Sequence, residues 1–212
     1  MANTKAHTQY RLKSGTLVPG VTTVLSVMNK PALVQWAYNC GRQGIDINKV
    51  RDQATGVGTL THDLCVCSLT GKTADVRDYT QNQIDEAQNS LRSFYAWHKT
   101  HPFEPKLIEE PLVSETYGYG GTLDLFGIMD DRTILIDLKT SKSIYSEYLI
   151  QVAAYGQLLF ENKGMWPDKA IILRINKGKN DDFEVRTVDR IEKYFEVFRH
   201  LLRVYSLQKE LA

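Results

Sequence analysis

The 212 residues carry 42% apolar and 24% charged side chains, which suits one globular domain, or one with a small appendage, built on a real core. A formal net charge of +1 excludes binding of a polyanion through the overall field, so any nucleic-acid contact must come from local basic patches. No apolar run reaches the roughly 18 residues of a membrane span, and Met1-Ala2-Asn3-Thr4-Lys5-Ala6-His7 is too polar for a signal peptide, which points to a soluble, non-secreted protein with no membrane partner.

In chain order, 9–18 reads as a short hairpin turning at Ser14-Gly15, and Val21 to about Met28 as a helix entered through Pro19-Gly20. Pro31 fits a first helical turn, and 32–40 continues as a helix with Leu33, Trp36 and Ala37 on one side. From Lys49 to about Leu69 a third helix is apolar at Val57, Leu60, Leu64, Cys65, Cys67 and Leu69 and stops at Gly71. A long amphipathic helix over 81–98 follows, with Ile84, Ala87, Leu91, Phe94 and Tyr95 at helical spacing. After Pro102 and Pro105 the pattern changes to strands at about 106–115, 119–129 and 133–140, a helix at 146–161, strands near 170–176 and 183–188, and a helix from Asp189 to the end. The order describes an α/β fold: a small mixed central sheet flanked by helices, with a mainly helical region over 1–100 and an αβ core over 101–212, together one domain. The three cysteines, Cys40, Cys65 and Cys67, leave one over in any disulfide scheme and read as free core thiols of a reducing compartment.

The most informative stretch is Gly121-Thr122-Leu123-Asp124 followed by Ile136-Asp137-Leu138-Lys139-Thr140. The two runs form a hairpin around Asp130-Asp131, and a turn centred there sets Asp124 opposite Asp137, with Lys139 on the same face by the period of two. Leu123, Leu125, Ile136 and Leu138 are expected to point together into a core. Because Asp130-Asp131 lacks the glycine that a tight primed turn prefers, a longer loop with the same centre is an equal expectation. Two carboxylates and an ammonium on one face suit a divalent cation beside a phosphodiester: Asp124 and Asp137 to fix the ion, the Leu138 carbonyl as a further oxygen, and Lys139 to hold water or offset charge on the phosphate. An Asp-x-Lys on a strand also serves solubility alone.

Two further features converge on it. Glu147, Gln151 and Tyr155 lie at i, i+4 and i+8 on a helix that is otherwise Leu, Ile, Val and Ala, a stripe that faces either water or a site. Gly58-Thr59-Leu60-Thr61-His62 sets a histidine one turn after a glycine that allows close helix approach, although a lone helical histidine is commonly a core or surface residue.

Taken in order, Gly58-x-x-x-His62, Gly121-Thr-x-Asp124, Asp137-x-Lys139-Thr140 and Gln151-x-x-x-Tyr155 resemble the motif series of RecB-type exonucleases in the PD-(D/E)XK superfamily. Val21-Thr22-Thr23-Val24-Leu25 and Lys30-Pro31-Ala32-Leu33-Val34-Gln35-Trp36-Ala37 resemble the opening of stand-alone, often phage-encoded members, so the resemblance spans nearly the whole chain. It implies a restriction-endonuclease-like core, with His62, Asp124 and Asp137 on the metal, Lys139 as catalytic lysine, and Gln151 and Tyr155 positioning DNA or the lysine. It further implies DNA ends as substrate in recombination, repair or phage replication, 5′-phosphate and 3′-hydroxyl products, a recombination or replication protein as partner, and the cytoplasm of a bacterial or phage-infected cell. The second acidic position is Asp137 where Glu is commoner. Relatives with an iron–sulfur cluster place most of its cysteines near the C-terminus, and no cysteine follows Cys67, so no cluster is expected. A histidine among carboxylates suits Mg²⁺ or Mn²⁺, with Mn²⁺ the better match to imidazole.

For nucleic-acid contact, Lys142, Arg174, Lys177 and Lys179 cluster after the catalytic strand or the one following, Arg11, Lys13, Arg42 and Arg51 lie in the helical region, and Tyr38, Tyr117, Tyr119 and Tyr145 are candidates for stacking on bases. Gly118, Gly120 and Gly121 permit close approach to a phosphate or form a bulge, and Glu110 and Glu115 are acidic candidates for a second ion. The reading is a monomeric exonuclease acting on single-stranded ends; a flap or branch endonuclease and a non-catalytic binding module on the same fold are the alternatives.

Overall fold

The computed structural model describes residues 8–212; the polar stretch 1–7 lies outside the described residues. A short antiparallel pair, β1 (Tyr10–Arg11) and β2 (Leu17–Val18), leads into four helices, α1 (Val21–Leu25), α2 (Pro31–Arg42), α3 (Ile47–Thr70) and α4 (Gln81–Thr100). There follow β3 (Glu104–Ser114), β4 (Tyr119–Met129), β5 (Arg132–Lys139), α5 (Ser146–Lys163), β6 (Lys169–Ile175), β7 (Phe183–Thr187) and α6 (Ile191–Glu210). The five later strands make one sheet in the order β3-β4-β5-β6-β7, antiparallel except for the parallel pair β5–β6, which α5 connects as a crossover. Among the described residues no helix is long and apolar enough to cross a membrane.

The sheet is covered on both faces. On one, α5 packs with α1 and α6 through Val24, Leu158, Phe198 and the inward residues Phe126, Leu135 and Ile172. On the other, Phe94 and Trp97 of α4 and Cys65 of α3 meet Leu125, Ile134, Ile136, Leu138 and Leu173. That double burial is why Ile134 to Leu138 is an unbroken buried run in which Asp137 is the one charged residue. Helix α5 is apolar nearly all round because it lies between sheet and α6, with every residue from Leu149 to Gly156 buried. Helix α4 starts with a reciprocal capping box between Thr80 and Gln83.

Two local expectations are corrected, and the choice between a tight turn and a longer loop at Asp130-Asp131 is decided. Helix α1 stops at Leu25 and only i−3 turn bonds carry the chain to Met28. The Asp130-Asp131 connection is a tight two-residue turn with Met129 paired to Arg132, both aspartates taking positive φ (50° and 59°), a region that a short polar side chain tolerates. Leu123 does not share a face with Leu125: it packs on the α5 side with Tyr119 and Phe126, whereas Leu125, Ile136 and Leu138 pack on the α4 side. The strict alternation is lost at Asp124, for the reason given next.

Candidate active site

Around Asp124 the sheet ladder is interrupted on both sides. The β4–β5 register ends at Leu125↔Ile136, one step before Asp124 would face Asp137. There the Asp124 carboxylate accepts the Leu138 N–H at 2.7 Å, so a side-chain oxygen bonds the strand where a backbone carbonyl would otherwise do so. On the β3 side the pairs Ile108↔Leu125 and Glu110↔Leu123 skip Glu109, whose φ is 50°. A glutamate held there costs on the order of 1–3 kcal/mol, and it turns the Glu109 carboxylate toward Asp124.

Helix α3 brings His62 to this fork. Its Nδ1 lies 3.5 Å from Glu109 Oε1 and 3.6 Å from Asp124 Oδ1. Burial works against a charge on the imidazole, but Asp124 and Glu109 outweigh it and raise the pKa to about 9. One donor atom each from His62, Glu109 and Asp124 lies within 4.8 Å of the others. Ligands on opposite sides of a hard divalent ion sit about 4.2 Å apart, so these three could hold one with a small adjustment.

Asp137 is 1% exposed, and neither carboxylate oxygen has an aligned hydrogen bond, although Lys139 Nζ lies 2.5 Å from Oδ2. Burial raises the Asp137 pKa, opposed chiefly by Lys139. For Lys139 the balance is reversed: burial disfavours the ammonium, and Asp137 with Asp124 more than restores it. A buried carboxylate with oxygens to spare is costly unless a cation completes it, and a divalent ion shared with the His62 set would do so. Tyr148 of α5 sets its ring 5.0 Å from Lys139 Nζ and so fixes the ammonium from another side.

Beneath the fork, Gln151 Nε2 donates to Tyr155 Oη at 2.7 Å, both residues being buried. The Tyr155 ring lies where a Cβ on Gly121 would be, 2.6 Å from its Cε1. Gly120 makes the same room for the Tyr10 ring, whose hydroxyl shares a 3.0 Å hydrogen bond with Thr122. A groove of about 330 Å³ opens over the cluster, lined among others by Arg51, Thr55, His62, Lys139, Tyr148 and Lys177. A larger hollow of about 520 Å³ lies at the hairpin tip, among His98, Phe103 and Asp130-Asp131, away from these converging groups.

With that geometry in view, the solved structures are informative. A presumed exonuclease from Eubacterium rectale matches with a TM-score of 0.50 at 16% identity, over 74% of this chain and 65% of that one. The chain shares the fold of that protein, a five-stranded mixed sheet flanked by helices. It spans about two thirds (65%) of the length of the Eubacterium rectale protein. The alkaline exonuclease LHK-Exo of Laribacter hongkongensis also matches, with a TM-score of 0.36 over 72% of this chain and 84% of that one at 15% identity. Its complex with dAMP gives 0.43 over 71% and 78% at 12% identity. No family model matches the sequence, and no curated protein does.

Within this fold, His62, Asp124, Asp137, Leu138 and Lys139 meet at one fork. Gln151 and Tyr155 lie behind it as a buried pair, and Glu147 is drawn away to Lys30 at 3.2 Å. Lys177 lines the groove and Lys142 is exposed beside the groove residue Ser141. Arg174 spends its charge on Glu184 at 2.8 Å and Asp182 at 3.9 Å.

Several expectations fail. Tyr119 is fully buried, donates to the Ala154 carbonyl at 2.9 Å and packs on Phe198, so it cannot stack on a base. Gly120 and Gly121 are closed by aromatic rings rather than open to a phosphate, and Gly118 serves a turn with φ 69°. Glu110 pairs with Lys163 and Glu115 accepts the Lys13 N–H, so neither reaches the site. Glu109, absent from the sequence reading, is the acidic residue of β3 that does. Its signal was register: a β3 strand antiparallel to β4 sets 109 opposite 124, but the intervening turn did not fix the offset.

Proposed function

We propose that the protein is a divalent-metal-dependent deoxyribonuclease that hydrolyses phosphodiester bonds from DNA ends, preferring single strands, in recombination, repair or phage replication. The observation that carries this reading is the meeting of His62, Glu109 and Asp124 with the buried Asp137–Lys139 pair at the break in the sheet. His62, Glu109 and Asp124 would hold Mg²⁺ or Mn²⁺, with Asp137 completing the set. A divalent ion in that set would supply charge neutralisation at the phosphate and activation of water.

The chain's own groups do the rest. Lys139 Nζ, held between Asp137 and the Tyr148 ring, donates to the attacking water or to a phosphate oxygen and stabilises negative charge as it develops. Asp124 has two tasks, since Oδ2 fixes β5 through Leu138 N–H while Oδ1 faces His62. Gln151 and Tyr155 support the strand that carries Asp124 rather than touch the substrate. The open groove suits part of an extended polymer better than an enclosed small molecule, being at the small end of ligand sites.

The test is cleavage of end-labelled linear single-stranded and duplex DNA, closed circular DNA and flap DNA with Mg²⁺, Mn²⁺ or EDTA. Cleavage of linear molecules alone, lost in EDTA, is expected. Circles cut as fast as linear DNA would reassign the protein to the endonucleases, and tight binding without cleavage would make it a binding module.

A further inference from the structure

The loop between β6 and β7, residues 176–182, carries Lys177 and is fastened to α4 rather than to the sheet alone. Asn89 Nδ2 donates to the Lys177 carbonyl at 3.0 Å. Arg92 donates through Nη2 to Asn89 Oδ1 at 2.8 Å and to the Lys179 carbonyl at 3.3 Å, and through Nε to Asp181 Oδ1 at 3.2 Å. Ser93 Oγ donates to the Asn176 carbonyl at 3.3 Å. Asn89, Arg92 and Ser93, at i, i+3 and i+4 on one face of the helix, therefore grip both limbs of the loop, an arrangement that neither the metal cluster nor the sheet requires.

The grip sets the Lys177 side chain into the groove that also contains His62, Lys139 and Arg51. Among the described residues Lys177 makes no ion pair, and burial lowers its pKa with only partial relief from the field of Glu86. An ammonium kept in a half-dry groove beside the cations Arg51 and Lys139 is unfavourable until an anion joins it. The α4 fastening supplies the restraint that holds it there.

We infer that Lys177 binds a backbone phosphate of the DNA strand lying across the groove, and that Asn89 and Arg92 of α4 are positioning residues that hold the 176–182 loop so that Lys177 reaches it. This rests on the nuclease reading above and adds a contact outside the metal cluster. The contact is made by substrate and transition state alike, so it acts on KM rather than kcat.

The experiment uses the full chain and a fluorescent single-stranded oligothymidylate in EDTA, with affinity measured across a salt series, alongside steady-state cleavage with Mn²⁺. Lys177→Met is expected to weaken binding about tenfold, as for loss of one charge-assisted hydrogen bond, and to lower the slope of log affinity against log salt by about 0.7. Lys177→Arg should retain the slope. Asn89→Ala and Arg92→Ala should raise KM several-fold with kcat and thermal midpoint near those of wild type. An unchanged salt slope in Lys177→Met, or equal losses of kcat in the α4 variants, overturns the inference even if the wild-type enzyme cleaves. A wild-type protein that binds the oligonucleotide through Lys177 but cleaves nothing overturns the nuclease reading and leaves this contact standing, and one that does not bind overturns both.

Discussion

Gly121→Ala tests whether the Tyr155 ring defines the floor of the site. The new Cβ would lie 2.6 Å from Tyr155 Cε1, 3.0 Å from Cδ1 and 3.1 Å from Val21 Cγ2. Carbon atoms pack at about 3.5–4.0 Å, so the ring must retreat by roughly 1 Å. It has little room, being buried on α5 with its hydroxyl bonded to Gln151 at 2.7 Å. Overpacking costs about 1–3 kcal/mol, and stretching a buried hydrogen bond adds about 1 kcal/mol. Reduced freedom of the unfolded chain returns about 0.5–1 kcal/mol. A net loss near 2 kcal/mol is expected, a fall of roughly 4–8 °C in thermal midpoint for a chain of this size. Differential scanning fluorimetry would read it, with Gly58→Ala as control. There the Cβ meets only Thr140 Oγ1 at 3.5 Å, and helix propensity favours alanine by up to about 1 kcal/mol. Adding Tyr155→Leu to Gly121→Ala should cost less than the sum of the two single losses. Equal midpoints for Gly121→Ala and Gly58→Ala would refute the packing argument.

Three further outcomes are expected. Glu109→Gln should weaken Mn²⁺ binding tenfold or more by titration calorimetry, whereas Glu110→Gln should leave it unchanged, because Glu110 is engaged with Lys163 on the edge of the sheet; the reverse order would remove Glu109 from the site. Gly56→Ala would place a Cβ 2.1 Å from Gln83 Nε2 and displace the capping box of α4, a loss of about 1–2 kcal/mol visible in urea denaturation. Tyr119→Phe removes the hydrogen bond to the Ala154 carbonyl and should cost about 1 kcal/mol of stability while leaving DNA affinity unchanged, as a buried ring requires.

What could be read from the sequence divides along physical lines. The periodic segments were legible because burial enforces them: the run Ile134 to Leu138, the α4 pattern around Phe94, and the α5 pattern around Val152. Asp124, Asp137 and Lys139 were legible because charge inside an apolar strand has few reasons to be there. Glu109 was not, since its place depends on a positive φ and on the offset between β3 and β4, neither of which is encoded in local pattern. The same break moved Leu123 to the opposite face from Leu125. Tyr119 misled because a tyrosine among glycines looks exposed, while the glycines in fact make room for Tyr10 and Tyr155. The α4 hold on the 176–182 loop joins residues more than eighty positions apart and has no local signature.

The most direct measurement of the central claim is the rate of nucleotide release from end-labelled single-stranded DNA by wild type, Asp124→Asn, Asp137→Asn and Lys139→Ala, each with Mn²⁺ and with EDTA, on samples whose circular dichroism matches wild type. The account predicts metal-dependent release by the wild type alone, with each variant slower by at least two orders of magnitude, as expected when a group that stabilises transition-state charge is removed. Release in EDTA, or wild-type rates in the three variants, would contradict it.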